Sequence, residues 1–440
     1  MKVAILGYGV EGRSAEKFLK KEYPKANIEI RDAKIQGKDY LKGLTKFDIV
    51  VRSPGIKFFS PEIQRAIKKG VKISSSTKLF FSAIGGSASG GENARGTLIG
   101  ITGTKGKGTT ATILYEILSA SRRSGHLAAK PPSGGNIHLI GNIGVPMLDE
   151  LPKLKKNSIS ILELSSFQLQ DLDVSPHIAA VLDILPDHLN YHRNFKEYID
   201  AKINLVKNPL PRCQVFKDTH ICLVANCSAP LIFYFPDNKY SSSIAKNGTG
   251  AKNPVSIDPD LELSLPGTHN LRNASMAAAI AHSLGVNDGI IKKVIKNFKG
   301  LPQHLEFIRS LNGIDYFNDS ASTNPASTAS AVMSFIAKPF VLIAGGADKG
   351  LDYVPLRLAL KYNPPKLVIL FGANKTKIKK SIGRGVPIKL AAGLEDALSL
   401  AMGVSAPGDT VIFSPGAASF DMFKDSKDRG EAFNKAVDTL

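Results

Sequence analysis

The stretch "GITGTKGKGTT", residues 100–110, sets glycines and lysines between an apolar run, "TLIGIT", and a helix-forming run, "TTATILYEILSAS". Glycines at such a junction let successive backbone N–H groups face an anion, and the N-terminus of the following helix adds its positive dipole end. A lysine there supplies a point charge for the outer phosphates of a nucleotide. The usual phosphate loop carries serine or threonine directly after that lysine. Here Gly108 follows Lys107, so Thr109 supplies the hydroxyl only if the turn is one residue longer. Gly103, Thr104, Lys105, Gly106, Lys107, Gly108 and Thr109 are the candidate cradle. An ordinary strand-to-helix connection would hardly need the two lysines and three glycines of "GTKGKG".

A nucleotide with magnesium needs hard oxygen ligands. The hydrophobic segment "SISILELSSFQLQ" offers Glu163, expected to be exposed in its last turn; on this segment alone it reads equally as a metal ligand or a surface carboxylate. Further on, "IAAVLDIL" runs into "PDHLNYH", which gathers Asp187, His188 and His192 where open α/β sheets bind ligands. In the next segment, "RNFKEYIDAKINLVKNP", Phe195, Tyr198, Ile199, Leu205 and Val206 form one helical stripe with Lys202 in its middle. An ammonium on a buried face is costly unless paired or chemically altered. A lysine that snorkels out to water is the bland alternative, and the nearness of the acid and histidine candidates favours a site role.

The elements that must position these residues alternate: short apolar runs followed by amphipathic ones through most of the chain, which predicts an α/β protein with mostly parallel sheets. The first unit runs "VAIL", then Gly7, Gly9 and Gly12 in a G-x-G-x-x-G turn, a helix, and "IEIRD" ending at Asp32. That is the dinucleotide fingerprint, and it suggests a nicotinamide-dependent oxidoreductase as a rival from another class. The Gly/Ser-rich "SAIGGSASGGENARG" marks a first boundary, and "GLPQHLEFI" near residue 300 lies between a helix and the fresh strand "GIDYFND". The expected domains are therefore 1–92, 93–299 and 300–440, the last with strands "FVLIAG", "LVILFG" and "TVIFSPG". The segment 210–265 carries no clear pattern, and its "LIFYFPDNKY" suits a strand edge or a hairpin.

Composition narrows the class. The 440 residues are 43% hydrophobic and 22% charged, ordinary for a soluble globular protein. No apolar stretch is long enough for a membrane helix. Cys213, Cys222 and Cys227 lack CxxC spacing, which suits a reducing cytosol and a cytoplasmic protein. The formal charge of +19 is spread over many lysine-bearing segments with helical character, so solvated helix faces explain it better than a nucleic-acid patch, and a bias toward anionic substrates remains open.

The chain resembles the Mur ligase family over essentially its whole length. "GYGVEGRS", "SPGI", "TGTKGKGTT", "GNIGVPML", "ELSSFQL", "DHLNYH", "AKINLV", "GTHNLRNA", "LPQHLEF", "NDSASTNPAST", "GGADKG" and "SPGAASFDMFKDSKDRGEAF" follow the family's order. The resemblance implies three domains: a Rossmann-like N-terminal one that holds a UDP-linked substrate rather than nicotinamide, a central P-loop ATPase-type one, and a C-terminal Rossmann-like one. It implies an ATP-dependent amide ligase, with "ELSSFQL" and "SPGAASFDMF" pointing to the branch that adds D-glutamate to UDP-muramoyl-alanine. Another acceptor, of a different Mur step or of folylpolyglutamate synthesis, is the alternative; "GKG" followed by a hydroxyl residue resembles the folylpolyglutamate synthases.

The same resemblance implies roles for individual residues. Lys107 and Thr109 would bind phosphate and Mg2+, Glu163 and His188 would hold magnesium, two ions in all, and Lys202 would be carbamylated to become an anionic ligand. Asn270 and Asn273 would contact adenine and Asp319 the ribose. Val10, Glu11 and Asp32 would hold the UDP group, with Asn142, Ser165 and His188 near the acceptor sugar. Thr323, Lys349, Ser419 and Phe420 would take D-glutamate. Three positions depart from the family pattern: His304 where an arginine contacting the γ-phosphate is common, Ala321 where a lysine is common, and Ser426 where an aromatic is common. The implied partners are small molecules, with no nucleic acid, no membrane insertion and a monomeric state.

Overall fold

The computed structural model describes residues 1–84, 96–123, 136–142, 145–182, 184, 187–188, 191–206, 241–243, 254–256, 263, 268–336 and 338–440. The three cysteines, the segment "LIFYFPDNKY" and the expected 92/93 boundary lie outside the described residues. The chain divides into two compact units: Met1–Glu262 with Arg272–Ile295, and Leu263–Leu271 with Lys296–Leu440.

The first unit opens with four strands, β1 (Lys2–Leu6), β2 (Asn27–Arg31), β3 (Ile49–Arg52) and β4 (Lys72–Ser75), all parallel in the order β2-β1-β3-β4. Between β1 and β2 lies the helix Val10–Glu22, which turns Ala15 and Leu19 into the core and carries Lys20 and Lys21 in its last turn, where the dipole favours cations. Gly12 lets this helix touch the turn before it: a Cβ there would stand 2.1 Å from the Gly7 carbonyl oxygen.

A second parallel sheet follows, built from β5 (Thr97–Thr102), β6 (Ile137–Gly141), β7 (Ile159–Glu163) and β8 (Ile178–Val181) in the order β6-β7-β5-β8. Because β5 lies between β7 and β8, its carboxyl end is flanked by Glu163, level with Ile101, on one side, and by Val181, level with Thr102, on the other. That is the topological switch point at which open α/β sheets bind ligands. A short antiparallel pair, β9 (Ser241–Ser243) with β10 (Pro254–Ser256), is the described remainder of the unassigned segment. One apolar core joins the two parallel sheets: Val3, Ile5 and Leu19 belong to the same cluster as Leu98, Ile140 and Leu162.

The second unit has one six-stranded sheet of β11 (Glu306–Leu311), β12 (Ile314–Asn318), β13 (Phe340–Gly345), β14 (Leu367–Phe371), β15 (Ile388–Leu390) and β16 (Thr410–Phe413), in the order β11-β12-β16-β13-β14-β15. Its central strands are buried on both faces, as continuous runs such as "FVLIAG" require. The sequence reading treats "GLPQHLEFI" as a connection. The structure instead makes Glu306–Leu311 an antiparallel partner of β12, closed by Asn312 (φ 52°) and Gly313 (φ 75°), the pair of positive φ angles that a two-residue hairpin turn demands.

Candidate active site

The glycine loop leaves β5 with Gly103 at φ 151° and Gly106 at φ 79°, and the following helix begins at Lys107. Lys107 reaches back to the Thr104 carbonyl (3.2 Å) and stands 3.6 Å from Glu163 Oε1. Thr110 is fully buried in the helix, which leaves Thr109, half-buried, as the hydroxyl at the loop's open side. Asn273 lies against the loop, since a Cβ on Gly106 would stand 2.0 Å from its Oδ1. Asn270, one turn earlier on the helix Thr268–Ser283, is buried.

Glu163 corrects the expectation of an exposed strand end. It is 2% exposed, because β7 is flanked by both β6 and β5 and the side chain lies beneath Lys107. Its Oε2 is buried without a hydrogen-bond partner. A buried, unsatisfied carboxylate oxygen costs free energy unless something cationic completes it.

Lys202 is buried as its stripe requires, 1% exposed in the helix Phe195–Ile203, so the snorkelling alternative is set aside. Its Nζ donates to the Gly103 carbonyl at 2.6 Å and lies 4.7 Å from the Tyr198 ring centre. Burial, helped by the Lys107 ammonium and opposed by Glu163 and Asp187, pulls its pKa from 10.5 down to about 7. The Tyr198 hydroxyl shares a 2.9 Å hydrogen bond with Thr104 Oγ1, and its ring also borders His188 at 6.4 Å.

His188 adopts φ 53° and packs edge-on against Phe167 at 4.8 Å. Its backbone N–H donates to Asp187 Oδ1 at 2.8 Å. His192, grouped with it by sequence, turns inward instead: Nε2 meets Ser166 Oγ at 3.0 Å, Nδ1 faces Glu197 at 3.4 Å, and burial lowers its pKa. Ser165 caps the helix Ser166–Leu169 in a reciprocal box with Gln168. Asn142 is exposed beside β7 and donates its N–H to the Glu163 carbonyl at 2.8 Å.

At the first sheet, Val10 is 60% exposed, and Glu11 has a buried Oε2 without a partner and a pKa raised by burial. Asp32 is engaged within the fold: it accepts from Tyr8 N (2.5 Å) and caps the next helix through Lys34 N (2.8 Å), and these donors lower its pKa. A dinucleotide-binding carboxylate would keep those oxygens for a ribose.

In the second unit the neighbouring parallel strands β12, β16 and β13 end at one edge of the sheet. The chain after them places Thr323, Lys349, Ser419 and Phe420 there, with the Lys349 ammonium 5.9 Å from the Phe420 ring centre. Asp319 is buried, accepts from Ser414 Oγ (2.6 Å) and Leu305 N (3.2 Å), and is pushed up to about 6 by burial. His304 is exposed, its Nδ1 2.9 Å from the Pro302 carbonyl, and Ala321 N–H bonds to the Gln303 carbonyl at 3.0 Å. Sequence reasoning passed over Arg429, which is fully buried and binds the Ser320, Ala417 and Ala418 carbonyls, tying the loops after β12 and β16 together.

Comparison with known proteins settles the family. A Mur ligase middle domain matches residues 101–281. The UDP-N-acetylmuramoylalanine–D-glutamate ligase of Symbiobacterium thermophilum is 32% identical over 92% of this chain and 87% of its own length. The chain belongs to the Mur ligase family. The ligase of the same name from Clostridium botulinum strain Hall is 30% identical over the whole chain and 97% of its own length. In fold this Mur ligase matches the MurF ligase of Thermotoga maritima, solved in complex with ADP, with a TM-score of 0.54 at 16% identity over 99% of this chain and 95% of that one. It is an α/β protein of Mur ligase architecture, and no described helix is long and apolar enough to cross a membrane.

Among the described residues of this Mur ligase, no cluster of three or more His, Cys, Asp or Glu is spaced to hold a metal by itself. Magnesium bound with a nucleotide takes only a few protein ligands, one or two carboxylates among them, and completes its shell with phosphates and water. Glu163, whose Oε2 has no partner, is a carboxylate such an ion could use, and the half-buried Thr109 carries a hydroxyl two residues after Lys107.

Proposed function

We propose that the chain is an ADP-forming ligase that joins D-glutamate to UDP-N-acetylmuramoyl-L-alanine in the cytoplasm, as a step of peptidoglycan precursor synthesis. The observation that carries this is the meeting of Lys107, Glu163 and Lys202 at one glycine loop, with 3.6 Å between the first two and Lys202 on the Gly103 carbonyl. The names of the relatives supply the acceptor and the amino acid.

An amide does not form from a carboxylate and an amine without activation. An oxygen of the acceptor's terminal carboxylate attacks the γ-phosphorus of ATP, the bond to the β–γ bridging oxygen breaks, and ADP leaves. The amine of D-glutamate then attacks the acyl carbon, the carbon–oxygen bond to phosphate breaks, and the surplus proton passes to solvent. The loop N–H groups and Lys107 hold and neutralise the phosphates, so the site works by positioning and electrostatics. A magnesium ion held by Glu163, His188 and Thr109 would supply further neutralising charge. A Lys202 ammonium whose pKa burial lowers to about 7 gives up its first proton readily; the neutral amine's lone pair can then take the carbon of carbon dioxide as a second proton leaves, which would turn a buried amine into an anionic oxygen ligand. In the second unit, Lys349, with Phe420 beside it, is the cation for an amino-acid carboxylate, and Thr323 and Ser419 on the loops after β12 and β16 would complete that site.

The deciding experiment offers purified protein UDP-muramoyl-alanine or a folate, each with D- or L-glutamate, and measures phosphate release. Turnover only with the muramoyl acceptor and D-glutamate is expected; turnover only with the folate overturns the reading.

A further inference from the structure

The largest fully buried side chain of the first unit is Arg52, the last residue of β3, and nothing above gives it a task. Its guanidinium meets Asp171 at 2.6 Å, with both side chains almost wholly buried. Nη2 also donates to the Phe167 carbonyl (3.0 Å) and Nη1 to the Ile56 carbonyl (2.8 Å), the Pro54 carbonyl (3.2 Å) and the Tyr191 hydroxyl (3.2 Å), while the buried Nε–H has no partner. The planar fork suits this task; a lysine could keep the ion pair but not the set.

Two of these partners lead to His188. The Phe167 ring packs against His188, and the Tyr191 ring packs on Phe167 at 4.2 Å. Tyr191 N and His192 N both donate to the His188 carbonyl, at 2.9 and 3.0 Å, which closes the turn around its positive φ. A non-glycine residue persists in that conformation only where its surroundings over-determine it. The Tyr191 hydroxyl also lies 2.8 Å from the Ile56 carbonyl and 3.0 Å from Gln170 Oε1.

We propose that Arg52 is the positioning residue of His188: by gripping Phe167 and Tyr191 from the end of β3, it fixes the ring's direction and links the turn Ser53–Ile56 of the first sheet to the metal side of the second. The proposal rests on His188 being a metal ligand. Partners that orient a ligand side chain cost about 10- to 100-fold in metal affinity when removed.

The test uses the full chain without nucleotide and two readouts other than turnover: Mn2+ affinity by electron paramagnetic resonance, and the His188 ring signals by NMR in metal-free protein, where the Phe167 ring current marks the packed ring. Arg52→Lys keeps a cation opposite Asp171. It is expected to weaken Mn2+ binding about 10-fold or more and to move the His188 signals toward those of a free imidazole. Tyr191→Phe leaves the ion pair intact and is expected to give the same changes at smaller size, so it decides the matter if Arg52→Lys does not fold. Folded variants with wild-type Mn2+ affinity and unmoved His188 signals overturn the proposal. His188→Ala separates the two readings: if it leaves Mn2+ affinity unchanged, His188 is not a ligand; if it weakens binding while Arg52→Lys does not, Arg52 does not position it.

Discussion

The first unit contains two strand–glycine turn–helix elements that look alike as sequence and differ as chemistry. At Gly7–Gly12 the polar groups nearest the turn are spent largely on the fold: Asp32 takes the Tyr8 N–H and the Lys34 N–H, and Gly12 packs against the Gly7 carbonyl, although Glu11 on the helix keeps a buried Oε2 without a partner. At Gly103–Lys107 they are left over: Glu163 Oε2 lacks a partner, and Lys202 is a buried amine of lowered pKa. The glycines do not distinguish these turns. What distinguishes them is what the neighbouring strands deliver to the turn, for β7 and β8 bring an acid and a histidine segment while β2 brings a helix cap.

The comparison breaks first if the second turn tolerates loss of its lysine. Lys107→Ala removes the charge aimed at the transferring phosphate, and steady-state assays are expected to show kcat lower by about 10²- to 10³-fold, with the fold intact by circular dichroism. Activity within a few-fold of wild type would remove the catalytic contrast between the two turns.

Lys202 sharpens the contrast through pH. Unfolded, it keeps its proton to about pH 10.4, whereas folded it releases it near 7. Between those values the unfolded chain holds one more proton, so the unfolding free energy rises with pH by about 1.4 kcal/mol per unit from this group. Denaturant titrations in metal-free, CO2-free buffer should show that slope as the difference between the wild-type protein and Lys202→Met from pH 7 to 10. Parallel curves would mean that Lys202 is not a buried titrating amine.

Gly12→Ala tests whether the first turn is built by packing. A Cβ 2.1 Å from a backbone oxygen forces the helix Val10–Glu22 away from β1, and a loss of about 1–3 kcal/mol is expected in the same titrations.

Much of this was legible in the sequence where the signal is local. "TLIGIT" and "FVLIAG" coincide with β5 and β13, since a strand buried on both faces is a plain apolar run. The burial of Lys202 was legible because Phe195, Tyr198 and Ile199 share its helical face, with Leu205 and Val206 following just after the helix. The burial of Glu163 was not, for it depends on β6 pairing beyond β7, a long-range fact. Arg52 and Arg429 were missed for a related reason: arginine is ordinarily a surface residue, and part of what holds each lies far away in sequence, the Phe167 carbonyl and Asp171 for one and the Ser320 carbonyl for the other. The hairpin β11–β12 had a local signal, Asn312-Gly313, masked by the expectation of a linker at residue 300.

The smallest expected effect is at Asp32, and it decides what the first turn is for. If the carboxylate is a helix cap, Asp32→Ala should cost about 1 kcal/mol of stability. Because the Tyr8 and Lys34 N–H groups hold its pKa below the ordinary carboxylate value, that contribution is present at neutral pH and is lost as pH falls through the lowered pKa, so the wild-type and variant curves should converge in acid. Asp32→Asn should fall between them, since the amide oxygen still accepts from one N–H while the charge is gone. If instead the carboxylate serves a nicotinamide ribose, the wild-type protein should bind NADH and Asp32→Ala should abolish that binding with little change in stability. A wild-type protein that shows no NADH binding by fluorescence, together with a cap-sized loss in the variant, assigns Asp32 to helix capping rather than to a nicotinamide ribose and leaves Gly103–Lys107 as the turn that meets the ATP phosphates.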